Sequence, residues 1–167
     1  MKIQQLHITE FASFKDRSFD LSDGMTLIEG RNESGKSTLA AFIRFMLYGL
    51  PKKNAGADAA TIRKKALSWE GGVAEGSMVI ETRDGRFRIE RKGTLRTSGT
   101  RESYSESVAV FDMATGENIT ADPTPGEYFL GVNAAVTVHV VRFRELHGNF
   151  KILFKGVWHL IHFCKGG

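Results

Sequence analysis

The segment Gly30-Arg31-Asn32-Glu33-Ser34-Gly35-Lys36-Ser37 constrains this chain more than any other, because it satisfies the pattern G-x-x-x-x-G-K-[ST]. The pattern carries meaning only between a strand and a helix. Here the apolar run Met25-Thr-Leu-Ile-Glu29 leads in, and Ser37-Thr-Leu-Ala-Ala-Phe-Ile-Arg44 leads out. Gly30 and Gly35 let the backbone turn tightly and expose consecutive N–H groups as an anion nest. The turn ends at a helix N-terminus, whose partial positive charge favours an anion in the same place. In such a loop Lys36 reaches the β- and γ-phosphates as a point charge, the Ser37 hydroxyl is a ligand of Mg²⁺, and Thr38 adds a hydroxyl contact. Gly30, Arg31, Asn32, Glu33, Ser34, Gly35, Lys36, Ser37 and Thr38 are therefore the candidate site for a nucleoside triphosphate. The plain reading, a Gly-rich turn before a helix with an incidental lysine, leaves the strand and helix in register unexplained.

The helix after the loop is predicted over residues 37–50, where Leu39, Phe42, Ile43, Phe45, Met46 and Leu47 form a broad apolar surface and Gly49 with Pro51 supplies a stop. Strands are predicted at 2–8, 17–21, 25–29, 76–82, 86–91 and 107–112 from alternation and β-branched content. Asp84-Gly85 reads as a two-residue hairpin turn, since this pair accepts positive φ. Thr115-Gly116 closes the sixth strand, residues 51–60 read as a loop, and Pro125 starts a short helix reaching Leu130.

Of 167 residues, 41% are hydrophobic and 25% charged, which suits one globular domain. The single cysteine, Cys164, leaves no internal disulfide, and the opening residues lack a secretory pattern, so a cytoplasmic location is expected. No stretch has the 18 apolar residues of a membrane span. The net charge of +4 suggests a nucleic-acid partner until it is located. Residues 1–136 carry 18 basic and 18 acidic side chains, whereas residues 137–167 carry five basic and one acidic. Composition thus breaks near Val136.

Several nucleotide-binding classes share the loop. Two strand-like segments precede it, linked by residues 10–17, and no Asn-Lys-x-Asp guanine-reading motif occurs, which argues against a GTPase. A small-molecule kinase would need an arginine lid. Arg83, Arg86, Arg88 and Arg91 instead lie along one hairpin and read as a solvated or DNA-facing edge.

Three stretches carry a resemblance: Met1-Lys-Ile-Gln-Gln-Leu-His-Ile-Thr-Glu-Phe-Ala-Ser-Phe14, the loop with Thr38 and Leu39, and Phe42-Ile-Arg-Phe-Met-Leu-Tyr-Gly49. Together they resemble the N-terminal half of an SMC or SbcC-type ATPase head, nearest the YhaN-like group. Asp84 to Lys92, Asp112 to Glu117 and Gly126 to Gly131 are similar to the hairpin and arm segments of those heads. The resemblance covers about residues 1–136. It implies an α/β fold of the P-loop, ABC-type class: a mixed sheet, a β-hairpin lobe and one main helix after the Walker A loop. It also implies ATP and Mg²⁺ as cofactors, a second ATPase head as partner in a homodimer, and DNA as an associated ligand. Phe14 and Lys15 fall where such heads approach the nucleotide base.

Family heads continue with a glutamine loop after Gly-Val-x-x-x-x-Phe. Gly131-Val132 begins that match, but Gln4 and Gln5 are the only glutamines. The Walker B Asp-Glu pair, the ABC signature, the switch histidine and a heptad coiled coil are likewise missing from these residues. Phosphoryl transfer needs metal ligands and a water-orienting residue. The expectation is an ATP-binding lobe incomplete for hydrolysis, with no catalytic residue assigned. The other reading is a non-hydrolytic, nucleotide-responsive binding module that contacts a protein or a membrane surface.

That second reading rests on residues 137–167. Phe150, Leu153, Phe154, Val157, Trp158 and Ile161 fall at helical spacing with Lys151, Lys155, His159 and His162 between them, a basic amphipathic pattern. Three accounts remain open: a membrane-surface or partner helix, a helix packed on the sheet, and sequence from an altered reading frame. His159, His162 and Cys164 lack the fourth group a structural zinc site needs.

Overall fold

The computed structural model describes residues 1–21, 26–28, 35–51, 58–68, 70–121, 123–131, 133, 143–146 and 149–154. Its main sheet has five strands in the order β2-β1-β4-β5-β6. These are β1 (Lys2–Phe11), β2 (Phe14–Asp20), β4 (Val73–Glu81), β5 (Arg86–Ser98) and β6 (Arg101–Asp112). The short strand β3 (Thr26–Ile28) belongs to a second sheet, with β7 (Phe143–Leu146) and β8 (Asn149–Phe154). Every described strand pairing is antiparallel. The helices are α1 (Lys36–Tyr48), α2 (Ala59–Ala66) and α3 (Pro125–Leu130).

The alternation that predicts the strands also selects the face α1 covers. Leu6 and Ile8 of β1, Met78 and Ile80 of β4, and Ile89 of β5 are all at or below 1% exposure. They meet Leu39, Phe42, Phe45 and Met46 of α1 in one core. Phe11 closes this core beside α1, with its ring centroid 5.4 Å from Phe42 and 5.5 Å from Phe45. Burying each such side chain contributes on the order of 1.5–3 kcal/mol. The helix that follows the loop is thus fixed by its apolar face to three strands.

Several boundaries move relative to the sequence expectation. β1 and β2 run on into residues 9–16, because Glu10 pairs with Lys15 and Phe11 with Phe14 around a tight turn. The β4–β5 connection spans Thr82 to Gly85, with Thr82 N–H donating to the Gly85 carbonyl at 2.8 Å, so the two residues enclosed at the turn are Arg83 and Asp84, one position earlier than expected. β5 and β6 extend far beyond 86–91 and 107–112, paired without interruption from Phe87↔Asp112 to Ser98↔Arg101. The ladder holds polar residues there that local propensity would not. α2 occupies residues expected to be loop or left unassigned.

Two expectations are corrected. Arg91 is not at a solvated edge: it is 3% exposed and points under the sheet. Arg86 and Arg88 sit at even positions facing out, whereas Arg91 shares the odd parity of the buried Phe87 and Ile89. Residues 149–154, expected within an amphipathic helix, form β8, which pairs with β3 from Thr26↔Phe154 to Ile28↔Ile152. Phe150, Ile152 and Phe154 also fit period two, and Gly148 and Gly156 disfavour a helix across this stretch. His159, His162, Cys164 and the rest of the expected tail helix lie outside the described residues.

Candidate phosphate-binding site

β3 leads toward the loop and α1 leaves it, the order the pattern requires. Gly30, Arg31, Asn32, Glu33 and Ser34 lie outside the described residues. The structure places Gly35, Lys36, Ser37 and Thr38 together at the start of α1.

Gly35 is the N-cap, with φ 87° and ψ 7°, in the left-handed region. A side chain there would be strained, and its Cβ would also collide with the Phe14 ring. Glycine is therefore needed twice over. The first intrahelical bond runs from Leu39 N–H to the Gly35 carbonyl at 2.9 Å, so the first-turn amides lie ahead of the ladder. Among the described residues no side chain caps this end, and no acidic residue occupies the helix's first turn. Most helices fill such an end with Ser, Thr, Asp or Asn. A first turn with lysine and no carboxylate suits an external anion.

Lys36 is 7% exposed, Ser37 is exposed and Thr38 is half-buried. Ser37 is thus the exposed residue of this first turn. Among the described residues no cluster of His, Cys, Asp and Glu could hold a metal. Mg²⁺ fits this arrangement nonetheless, since it commonly takes one or two protein oxygens and completes its shell with phosphate oxygens and water.

The β1–β2 hairpin reaches over the same end of α1. Ala12 and Asp16 adopt positive φ, 51° and 45°, on either side of Phe14 and Lys15. Phe14 packs on Gly35 and, at 6.2 Å between centroids, beside Phe19. Lys15 forms an exposed ion pair with Glu70, whose hydrogen bond raises the Lys15 ammonium above its ordinary value. Phe14 is accordingly at the loop, while Lys15 is engaged beside it.

A strand, a left-handed glycine and a helix starting Lys-Ser-Thr, in that order, are the described parts of a P-loop nucleoside triphosphatase fold. The AAA domain family profile matches residues 5–144 of this chain, and the chain belongs to that family. Among similar proteins is YhaN of Bacillus subtilis (strain 168), 36% identical over 107 residues, or 63% of this chain and 10% of that protein. The DNA double-strand break repair Rad50 ATPase of Halobacterium salinarum is 32% identical over 109 residues, 65% of this chain and 11% of its own length. Structural maintenance of chromosomes protein 3 of Dictyostelium discoideum is 36% identical over 109 residues, covering 60% and 7%. The chain spans about a tenth of the length of the curated relatives it matches. Its likeness is to the N-terminal region of SMC/SbcC-type ATPases. No helix among the described residues is long and apolar enough to cross a membrane.

Proposed function

We propose that residues 1–136 are the ATP-binding N-terminal lobe of an SMC/SbcC-like ATPase that works with DNA in repair or recombination. The observation that carries this reading is the N-terminal end of α1, where a left-handed Gly35 leads into Lys36, Ser37 and Thr38 with no acidic residue in the helix's first turn. The loop from Gly30 to Ser34 supplies the remaining backbone N–H groups for the phosphates. Lys36 neutralises the β- and γ-phosphates, Ser37 holds Mg²⁺, and the metal supplies charge neutralisation between the two phosphates. The naming of two relatives for break repair and chromosome maintenance supports the DNA association. In this reading the remaining half of the head and a second head together complete the site, because residues 1–167 contain no Walker B pair, signature or glutamine loop. The 167-residue chain then binds nucleotide without turning it over.

Binding of a fluorescent ATP analogue, with Mg²⁺, to the wild type and to Lys36→Ala tests the reading. The expected result is measurable binding that the substitution removes. Equal binding by both overturns it.

A further inference from the structure

The end of α1 opposite the phosphate loop is held by a charged pair from the sheet. The helix terminates at Gly49, with φ 74° and ψ −173°, and its last regular bond is Gly49 N–H to the Phe45 carbonyl at 2.7 Å. One residue on, Leu50 N–H would donate to the Met46 carbonyl if the helix continued. Instead the two groups are separated, and each finds one member of the pair. Arg91 Nε donates to the Met46 carbonyl at 3.2 Å, and Leu50 N–H donates to Glu106 Oε2 at 3.0 Å. Arg91 Nη1 and Glu106 Oε1 join the two halves. A Cβ at Gly49 would strike the Glu106 carboxylate, so the pair closes directly over that residue.

The clasp reaches further than the helix. Arg91 Nη2 donates to the Pro123 carbonyl at 2.7 Å, just ahead of α3, and Tyr104 O–H donates to Glu106 Oε2. Helix, β5, β6 and the lead into α3 therefore meet at one guanidinium whose side chain is 1% exposed. The last turn of α1 contains no basic residue of its own. Arg91 supplies the positive charge that the carbonyl end of a helix favours. The guanidinium is buried while the Glu106 side chain is 20% exposed, so removing Glu106 would leave an uncompensated charge under the sheet. The pair ties the C-terminal end of α1, which Gly49 terminates, to β5 and β6.

We propose that Arg91, through Glu106, is a positioning residue for nucleotide binding: it fixes α1 against β5 and β6, and so sets where Lys36, Ser37 and Thr38 present themselves at the other end. The inference rests on the nucleotide reading above. A helix of 13 residues is about 20 Å long and packed as a rigid rod, so a shift at one end is delivered to the other. Displacement by an ångström at a phosphate-binding end is costly to binding geometry.

The test uses the 167-residue chain, Mg²⁺ and a fluorescent ATP analogue, at temperatures where circular dichroism finds each variant folded. Arg91→Met is expected to weaken binding about tenfold. Arg91→Lys recovers only part of the loss, because an ammonium cannot serve three acceptors in fixed, diverging directions. Arg88→Met, at an outward-facing position of the same strand, leaves affinity unchanged. Hydrogen exchange of the amides of Leu47, Tyr48 and Gly49 is expected to accelerate in Arg91→Met. A folded Arg91→Met that binds like wild type, while Lys36→Ala does not bind, overturns the proposal and leaves the nucleotide reading standing. If Arg91→Met does not fold, Glu106→Gln carries the test: it keeps an acceptor for Leu50 and removes the charge, and unchanged affinity overturns the proposal. Equal binding by wild type and Lys36→Ala overturns both readings.

Discussion

The ring of Phe14 occupies the space that a Cβ would need at Gly35. This relationship ties the β1–β2 hairpin to the last glycine of the phosphate loop, and it makes Gly35 sensitive for two independent reasons. Left-handed backbone costs a residue other than glycine about 1–2 kcal/mol, before any collision is counted. Gly35→Ala is expected to lose analogue binding and to melt at a lower temperature than wild type. Adding Phe14→Ala relieves the collision but not the backbone strain, so the double variant recovers part of the melting temperature. A double variant no more stable than Gly35→Ala would contradict the packing.

The core between α1 and the sheet sets the stability of the whole lobe. Phe42 has no exposed surface and meets Phe11 edge-on, with the rings 76° apart. Phe42→Ala leaves a cavity that the surrounding strands cannot collapse into, and truncation of this kind costs about 3–5 kcal/mol. A domain has only about 5–15 kcal/mol in total. Urea denaturation is expected to lose a large fraction of the unfolding free energy, and a loss below about 1 kcal/mol would show that Phe42 is not central.

What could be read from the sequence follows from how local each signal is. α1 and the cores of β1, β4 and β5 announce themselves because pattern and burial agree: alternation at Leu6 and Ile8, and helical spacing through Leu39, Phe42 and Met46. α2 does not, since its buried residues are Ala59, Arg63 and Ala66, too small or too polar to register as an apolar face. Arg63 is satisfied by donating to the Pro51 carbonyl at 2.6 Å, a partner no local pattern reveals. The far ends of β5 and β6 are polar and are held by each other. Arg91 misleads for a related reason. A charge on a hairpin is usually solvated, and only its shared parity with Phe87 and Ile89 signals that it turns inward.

Ser37 gives a prediction about metal. The residue is exposed in the first turn of α1, next to the buried Lys36. If it is the protein's ligand for Mg²⁺, Ser37→Ala should bind the analogue equally with and without Mg²⁺, while wild type binds more tightly with it. Chelating the metal from wild type should bring it to the level of Ser37→Ala. A Mg²⁺ enhancement that survives the substitution would assign the ion to other oxygens.

Tyr104 makes stability depend on alkaline pH. Burial, then the hydrogen bond to Glu106 and the charge of that carboxylate, hold its phenol well above the ordinary tyrosine value, and Arg91 opposes them only in part. In the unfolded chain the phenol titrates near its reference value of about 10. Between that value and the higher folded one, the native state keeps a proton that the unfolded state has released. Stability is therefore fully retained below about pH 10 and falls as pH rises beyond it. Tyr104→Phe removes the titrating group and leaves Arg91 and Leu50 on Glu106. Urea midpoints measured from pH 8 to pH 11 are expected to fall less steeply for Tyr104→Phe than for wild type. Parallel curves would mean that the phenol does not stay protonated in the fold, and that the Glu106 cluster is more open to water than its geometry implies.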